Sequence, residues 1–274
     1  MKEKVNITDK IADTLFIPLY MRAKESHRPN GIMKDHLACE LVDRIDYDFT
    51  RFDKAPLSEL GCVVRGRYFD DKVQAFILRE KAPVVVNVGC GLDTRFQRVK
   101  ERRNAIFYEL DLPEVIDVRE EFLPIEKNDI NLRGSMLDTG WMDQLKLNHP
   151  DSRFIFTIEG VVMYFTEAQV KSVLTNLAIR FSGGEIHLDV CGSMFQKKGL
   201  KPDALKNNNE ARILSAINNG RIIEQWVPQL IMTDNRLYQS IEKRRWGAFG
   251  IFCRMLPGFS RKFSHLLGYK IKEA

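Results

Sequence analysis

Alternating strand-like and helix-like segments predict an α/β protein: a mostly parallel, seven-stranded sheet covered by helices on both faces. Three observations carry this. Short apolar runs recur from Val84 onward, separated by amphipathic stretches of helical length. The first of them runs directly into a Gly89-Cys90-Gly91 turn, as a buried strand feeding a helix does. The 274 residues are 44% hydrophobic and 29% charged, the balance of an ordinary globular chain. A chain of this length buries roughly 75% of its unfolded surface and needs no disulfide or metal staple.

The first 80 residues differ in character. They carry charged helices at Leu37–Ile45 and Arg65–Arg79. Upstream lies a segment with Arg22, Lys24, Arg28, Pro29 and Asp35 that has little apolar periodicity and reads as a loop or cap. Val84–Val88 is the first strand and Ala105–Leu110 the second. A helix through Glu121 then opens at Pro113, a favourable first helical position. Asp129–Leu132 is a weaker strand and Phe154–Ile158 a fourth. The helix Thr166–Ala178 starts with a capping threonine and an acid. Ile186–Val190 follows the Ser182-Gly183-Gly184 turn. The polar, Asn-rich stretch 197–221 is expected to form a helical excursion, and Leu230–Met232 and Leu267–Ile271 complete the sheet. The expected organisation is one domain over 1–274. It has a helical cap at 1–80, a core at 81–195, a helical lid insertion at 196–225 and completion of the sheet at 226–274.

Composition narrows the function. The net charge is +5, with basic clusters at Lys100–Arg103 and Lys243–Arg245 that read as solvated helix faces. Neither is interleaved with aromatic residues, so no nucleic-acid partner is expected. No run approaches the roughly 18 uncharged apolar residues of a membrane span, so no membrane partner is expected either. The first ten residues lead into no apolar signal core. The five cysteines, Cys39, Cys62, Cys90, Cys191 and Cys253, are odd in number and scattered. That predicts a reducing, cytoplasmic setting and no metal site.

The Gly-X-Gly turn predicts a nucleotide-type ligand at the carboxyl end of the first strand. An acid that bonds ribose hydroxyls is expected about 20 positions on. Asp111 stands 20 residues after Gly91, and Glu109 stands 18 after it. Thr94 occupies the position where a dinucleotide fingerprint carries a third small residue. No Gly-Lys-Ser/Thr follows, so this is not a P-loop. The pattern suits S-adenosylmethionine, with S-adenosylhomocysteine as product. An NAD-binding oxidoreductase or a non-catalytic nucleotide-binding protein is the alternative class.

Asn87-Val88-Gly89-Cys90-Gly91-Leu92-Asp93-Thr94-Arg95 resembles the cofactor loop of the leucine carboxyl methyltransferase family. Glu109-Leu110-Asp111-Leu112-Pro113 resembles its second-strand motif. The segment Arg22 to Ser26, Arg65 with Tyr68-Phe69-Asp70, Ser135 to Asp138 with Trp141, and Glu159 to Tyr164 extend the likeness over most of residues 15–195. The resemblance implies a Rossmann-like, class I S-adenosylmethionine-dependent methyltransferase. One branch of the family methylates the C-terminal leucine carboxylate of a protein phosphatase. The other is similar to bacterial polyketide O-methyltransferases. Ser135 stands where the phosphatase branch carries an acid, so the chain looks more like the second branch.

By this resemblance Gly89 and Gly91 line the methionine and ribose side of the cofactor, and Asp111 holds the ribose hydroxyls. Ser135 and Met136 flank the adenine. Glu159 faces the amino-acid end, Arg65 pairs with the cofactor carboxylate and Lys24 reaches the same region. These residue types suit the task. Arginine bonds both oxygens of a carboxylate. An acid interrupting an apolar strand asks for a cation. Arg22 and Tyr164 lie where the acceptor is expected, a small molecule bearing a hydroxyl or carboxyl oxygen. Asp93 is expected to cap the following helix and Cys90 to serve as a small turn residue. Of the five histidines none has a spacing that nominates a catalytic base, and His187 reads as a packed strand residue. Oligomeric state is not set by any motif.

Overall fold

The computed structural model describes residues 2–5, 12–124, 126–196, 200–206, 208 and 211–273. Its sheet has seven strands: β1 (Pro83–Val88), β2 (Ile106–Asp111), β3 (Asp129–Arg133), β4 (Arg153–Ile158), β5 (Glu185–Cys191), β6 (Leu230–Leu237) and β7 (Ser264–Ile271). Their spatial order is β3-β2-β1-β4-β5-β7-β6. β1 to β5 pair in parallel, and β7 is antiparallel to both β5 and β6. Val86 sits between Tyr108 of β2 and Phe156 of β4, fixing the central register. Every residue of β1 is buried, which is why it reads as a mostly apolar run, broken by Asn87, and not as an alternation.

Among the described residues ten helices surround the sheet: α1 (Phe16–Ser26), α2 (His36–Arg44), α3 (Pro56–Arg79), α4 (Arg95–Arg98), α5 (Pro113–Phe122), α6 (Gly140–Asn148), α7 (Glu167–Arg180), α8 (Arg221–Trp226), α9 (Gly247–Met255) and α10 (Pro257–Ser260). Alternate β1 residues feed different cores. Val84, Val86 and Val88 pack with α6 to α8, through Leu145, Leu174 and Ile223. Val85 packs with Val73, Phe76 and Ile77 of α3 and Phe96 of α4. A third core joins the N-terminal helices to α5, through Leu19, Leu41, Val64, Phe69 and Val115. α7 begins with a full capping box, in which Thr166 accepts from the Gln169 amide and the Gln169 side chain accepts from the Thr166 amide.

Two sequence expectations are corrected. The segment holding Arg22 and Lys24 is helical and not a loop. α1 buries Phe16, Ile17, Leu19, Met21 and Ala23 together with Arg22 and Glu25, so charged residues on its inner face hide the apolar period. The described part of the 196–225 stretch, expected as a helical lid, is mostly not helical. Among its described residues the helical pieces are a single 3₁₀ turn at Asp203–Leu205 and α8, which starts at Arg221. Its Asn-rich composition and Pro202 favour local side-chain bonding over a helix ladder. Residues 197–199, 207 and 209–210 of that stretch lie outside the described ones.

Candidate cofactor and acceptor site

The strand order reverses between β1 and β4, and a ligand crevice belongs at the carboxyl ends of the strands there. Gly89 and Gly91 end β1 with φ +70° and +51°. A Cβ on Gly89 would collide with the Val161 side chain, and one on Gly91 would lie 3.2 Å from Leu15 Cβ. The turn therefore presents bare backbone to the crevice. It is held from behind. The amides of Gly89 and Cys90 donate to the Leu110 carbonyl at 2.8 and 3.1 Å. Arg119 donates to the carbonyls of Gly91 and Asp93 at 2.9 and 2.8 Å. Asp111, closing β2, accepts from the Gly91 and Leu112 amides, both at 2.8 Å. Glu109, the competing acid by spacing, points into the interior and accepts from Asn87 at 2.6 Å. Burial pushes its carboxyl up to about 8, despite Arg119 nearby. Asp111 faces the crevice and Glu109 does not.

A buried ionic array forms the far wall. Glu159, just past β4, accepts from Arg65 Nε at 2.9 Å and from Arg95 at 2.5 Å. Arg65 also donates to Asp189 of β5 at 3.1 Å. Asp189 further accepts from the Tyr238 hydroxyl at 2.9 Å and the Gly160 amide at 2.6 Å. Burial works against the charge on Arg65, but Asp189 and Glu159 outweigh it and hold the guanidinium well above its ordinary value. Arg95 is 1% exposed and ties Glu159 to Asp70 and Asn87. Asp93 does not cap α4: its carboxylate pairs with Arg95 at 2.8 Å and Arg98 at 2.7 Å. Burial raises the Asp93 carboxyl, and the two arginines pull it far below the usual range. Arg22 is buried against Asp35 and the Leu92 carbonyl, both at 2.8 Å.

One cavity of about 810 Å³ gathers these groups. Arg22, Arg65, Gly89, Gly91, Asp111, Ser135, Met136, Glu159 and Tyr164 all line it. Lys24 does not. Its ammonium turns away to Glu59 at 2.8 Å and Asp53 at 3.6 Å, because those acids on the far side of α1 offer it a closer pairing. Asp189, Cys62 and Tyr238 line the cavity without having been singled out. Asp189 was findable, as it is an acid within the apolar strand β5, and Glu159 likewise ends an apolar run. None of the five histidines lines the cavity. His187 is packed between Glu185 at 3.2 Å and the Tyr68 hydroxyl at 3.4 Å. Burial raises the Tyr164 hydroxyl to about 12 and the Cys191 thiol to about 12, and it raises the thiols of Cys62 and Cys90 as well. All four therefore keep their protons at neutral pH and act as donors or spacers, not as bases or nucleophiles.

The residues present fit a ligand with a ribose and a zwitterionic amino-acid end. The glycine cradle is one that a Cβ would fill, an acid stands at the end of β2, and carboxylates alternate with guanidinium on the opposite wall. A profile of the leucine carboxyl methyltransferase family matches residues 16–178. The chain is 28% identical over 231 residues to the tetracenomycin polyketide synthesis O-methyltransferase of Streptomyces glaucescens, covering 84% of this chain and 83% of that one. It is 29% identical over 211 residues to an S-adenosylmethionine-dependent methyltransferase of Gibberella zeae, covering 70% of each. Among solved structures, a DUF574 family protein of Streptomyces avermitilis superimposes with a TM-score of 0.61 at 11% identity, covering 94% of this chain and 97% of that one.

Proposed function

The chain belongs to the leucine carboxyl methyltransferase family and is an S-adenosylmethionine-dependent O-methyltransferase, and we propose that its acceptor is a small, largely apolar, polyketide-like molecule. The observation that carries this is the wall beyond the ionic array. There the cavity is lined by Leu57, Met163, Phe165, Phe195, Phe249 and Phe263, an apolar enclosure suited to a small-molecule ring system. The named relative from Streptomyces supports the same class.

When bound, S-adenosylmethionine supplies a methyl group already activated by its sulfonium. The chain's own work is alignment and exclusion of water. Gly89 and Gly91 admit the ligand to the backbone, and Asp111 accepts the ribose hydroxyls. Ser135 and Met136 flank the adenine. Arg65 receives the carboxylate and Glu159 the ammonium. Described residues of the N-terminal part and of 200–206, among them Leu57, Ser58, Leu200 and Leu205, line the acceptor side and select what enters. Tyr164 stays protonated and donates to the acceptor oxygen. A carboxylate acceptor needs no base; a phenol of pKa about 10 would give its proton to solvent on binding, and such a donor would stabilise the phenolate that attacks.

Thermal shift with S-adenosylmethionine, S-adenosylhomocysteine and NAD tests the cofactor assignment. The two sulfur compounds raise Tm and NAD does not; the reverse result would overturn it. The acceptor class is tested by offering polyphenols and a peptide ending in leucine with labelled cofactor. Label in a base-stable aryl ether or a base-labile small-molecule ester supports the proposal. Label in the peptide's terminal carboxylate would transfer it to the family's protein-directed activity.

A further inference from the structure

Between residues 243 and 262 the chain carries six Lys or Arg and no Asp or Glu, against +5 for the whole chain. Everything outside this segment is therefore net −1. The segment folds as a 3₁₀ turn, α9 and α10, and it is packed inside out. Gly250, Cys253 and Ser260 turn inward and are buried. Ile251, Phe252, Met255, Leu256 and Phe259 stand in solvent, Phe252 at 48% and Met255 at 75% exposure, and Phe249 borders them while lining the cavity. A surface helix ordinarily turns its large apolar side chains to the core. Five of them together outside form the kind of patch that marks an interaction surface. Exposed Lys243 and Arg244 precede the patch and exposed Lys262 follows it. Arg245 and Arg254 are turned back onto Glu25 and the Gln239 carbonyl. The cluster read in the sequence as a solvated helix face thus borders an apolar one.

We propose that this face docks on an anionic membrane surface, its apolar side chains entering the headgroup–acyl boundary and its lysines and arginine meeting the lipid phosphates. Charge complementarity chooses this occupant. A second copy paired about a two-fold axis would set cations against cations. Among the described residues no helix is long and apolar enough to cross a membrane, so the contact is a peripheral one. The patch is continuous with the cavity. Phe252 meets Phe259 at 5.9 Å, Phe259 meets Phe263 at 5.4 Å, and Phe263 meets Phe195 at 5.9 Å, with Phe263 and Phe195 on the cavity wall. Docking here brings the acceptor side of the cavity beside the bilayer. The inference stands on charge and packing and does not depend on methyl transfer.

Vesicle co-sedimentation of the full chain tests it, with phosphatidylcholine alone and with equal parts phosphatidylcholine and phosphatidylglycerol. The protein sediments with the mixed vesicles and stays in solution with the neutral ones. Phe252→Ser/Met255→Ser and Lys243→Glu/Arg244→Glu each weaken partition by at least about tenfold. Both variants keep the wild-type Tm and the shift with S-adenosylhomocysteine, since none of the four residues lines the cavity. Failure to sediment with mixed vesicles overturns the proposal. So does unchanged binding of Phe252→Ser/Met255→Ser, which reduces the effect to charge adsorption. A dimer in analytical ultracentrifugation that the same variant dissociates assigns the face to a second copy and also overturns it. Loss of the S-adenosylhomocysteine shift in the wild type would sink the cofactor assignment and leave the sedimentation result intact.

Discussion

Asp111 shows how one carboxylate serves two purposes. It accepts from the Gly91 amide at 2.8 Å and so shapes the turn, and it faces the cavity where a ribose is expected. Asp111→Ala removes a charged acceptor, about 1.5–3 kcal/mol of ligand binding, so the thermal shift with S-adenosylhomocysteine collapses. A shift of wild-type size in that variant would end the assignment. His265 of β7 carries a different lesson. It is fully buried, and burial, with Arg261 nearby, lowers its imidazole to about 4. The unfolded imidazole titrates near 6.5, so the folded state loses stability as pH falls from 6.5 toward 4 and keeps it all above 6.5. The loss amounts to about 3 kcal/mol. His265→Leu flattens this stretch of the urea-unfolding profile. A variant with the wild-type slope would show that other groups carry it. Spacing alone left Glu109 and Asp111 as rivals for the ribose. The two acids are i and i+2 on the same face of β2; Glu109 is buried inside the strand in register with Asn87, and Asp111 reaches the cavity because it is the strand's last residue, a depth that a spacing rule does not resolve.

At the scale of elements, the β1–turn–α4 unit does the most. The motif's last residue, Arg95, does not line a binding groove for its own sake. It braces Glu159 from behind while bonding Asn87 of β1 and Thr157 of β4. The tight turn predicts its own weak point. Gly89→Ala puts a Cβ at φ +70° against Val161, costing about 2 kcal/mol or more and closing the cradle. Chemical denaturation reads the first effect and loss of the S-adenosylhomocysteine shift the second. Pairing the change with Val161→Ala returns part of the stability and not the strain. The sheet was legible because buried parallel strands are plain apolar runs. α1 was read as a loop because charged Arg22 and Glu25 lie among its buried apolar residues.

The whole molecule is tied together by charges that cross between its layers. Arg22 and Asp35 of the N-terminal region, Asp70 of α3, and Arg95 and Arg98 beside the cofactor turn share one buried network. The cap and the turn are therefore one cooperative unit. Asp70→Ala removes one of the several acids shared by two guanidinium groups at 1% and 5% side-chain exposure, leaving Asp93, Glu159 and Asp35 as partners, and costs about 1–3 kcal/mol. The expected readout is a single urea transition moved to lower midpoint; a cap melting separately from the sheet would contradict the coupling. None of this network follows from local pattern, because bonded members such as Asp35 and Arg98 are 63 residues apart. The strand order holds a last consequence. β7 lies between β5 and β6 although it is made after both, and β6 pairs with β7 alone. On the ribosome the edge of β5 and the whole of β6 must wait unpaired until β7 emerges, a nascent-chain interval in which a chaperone has open strand edges to shield.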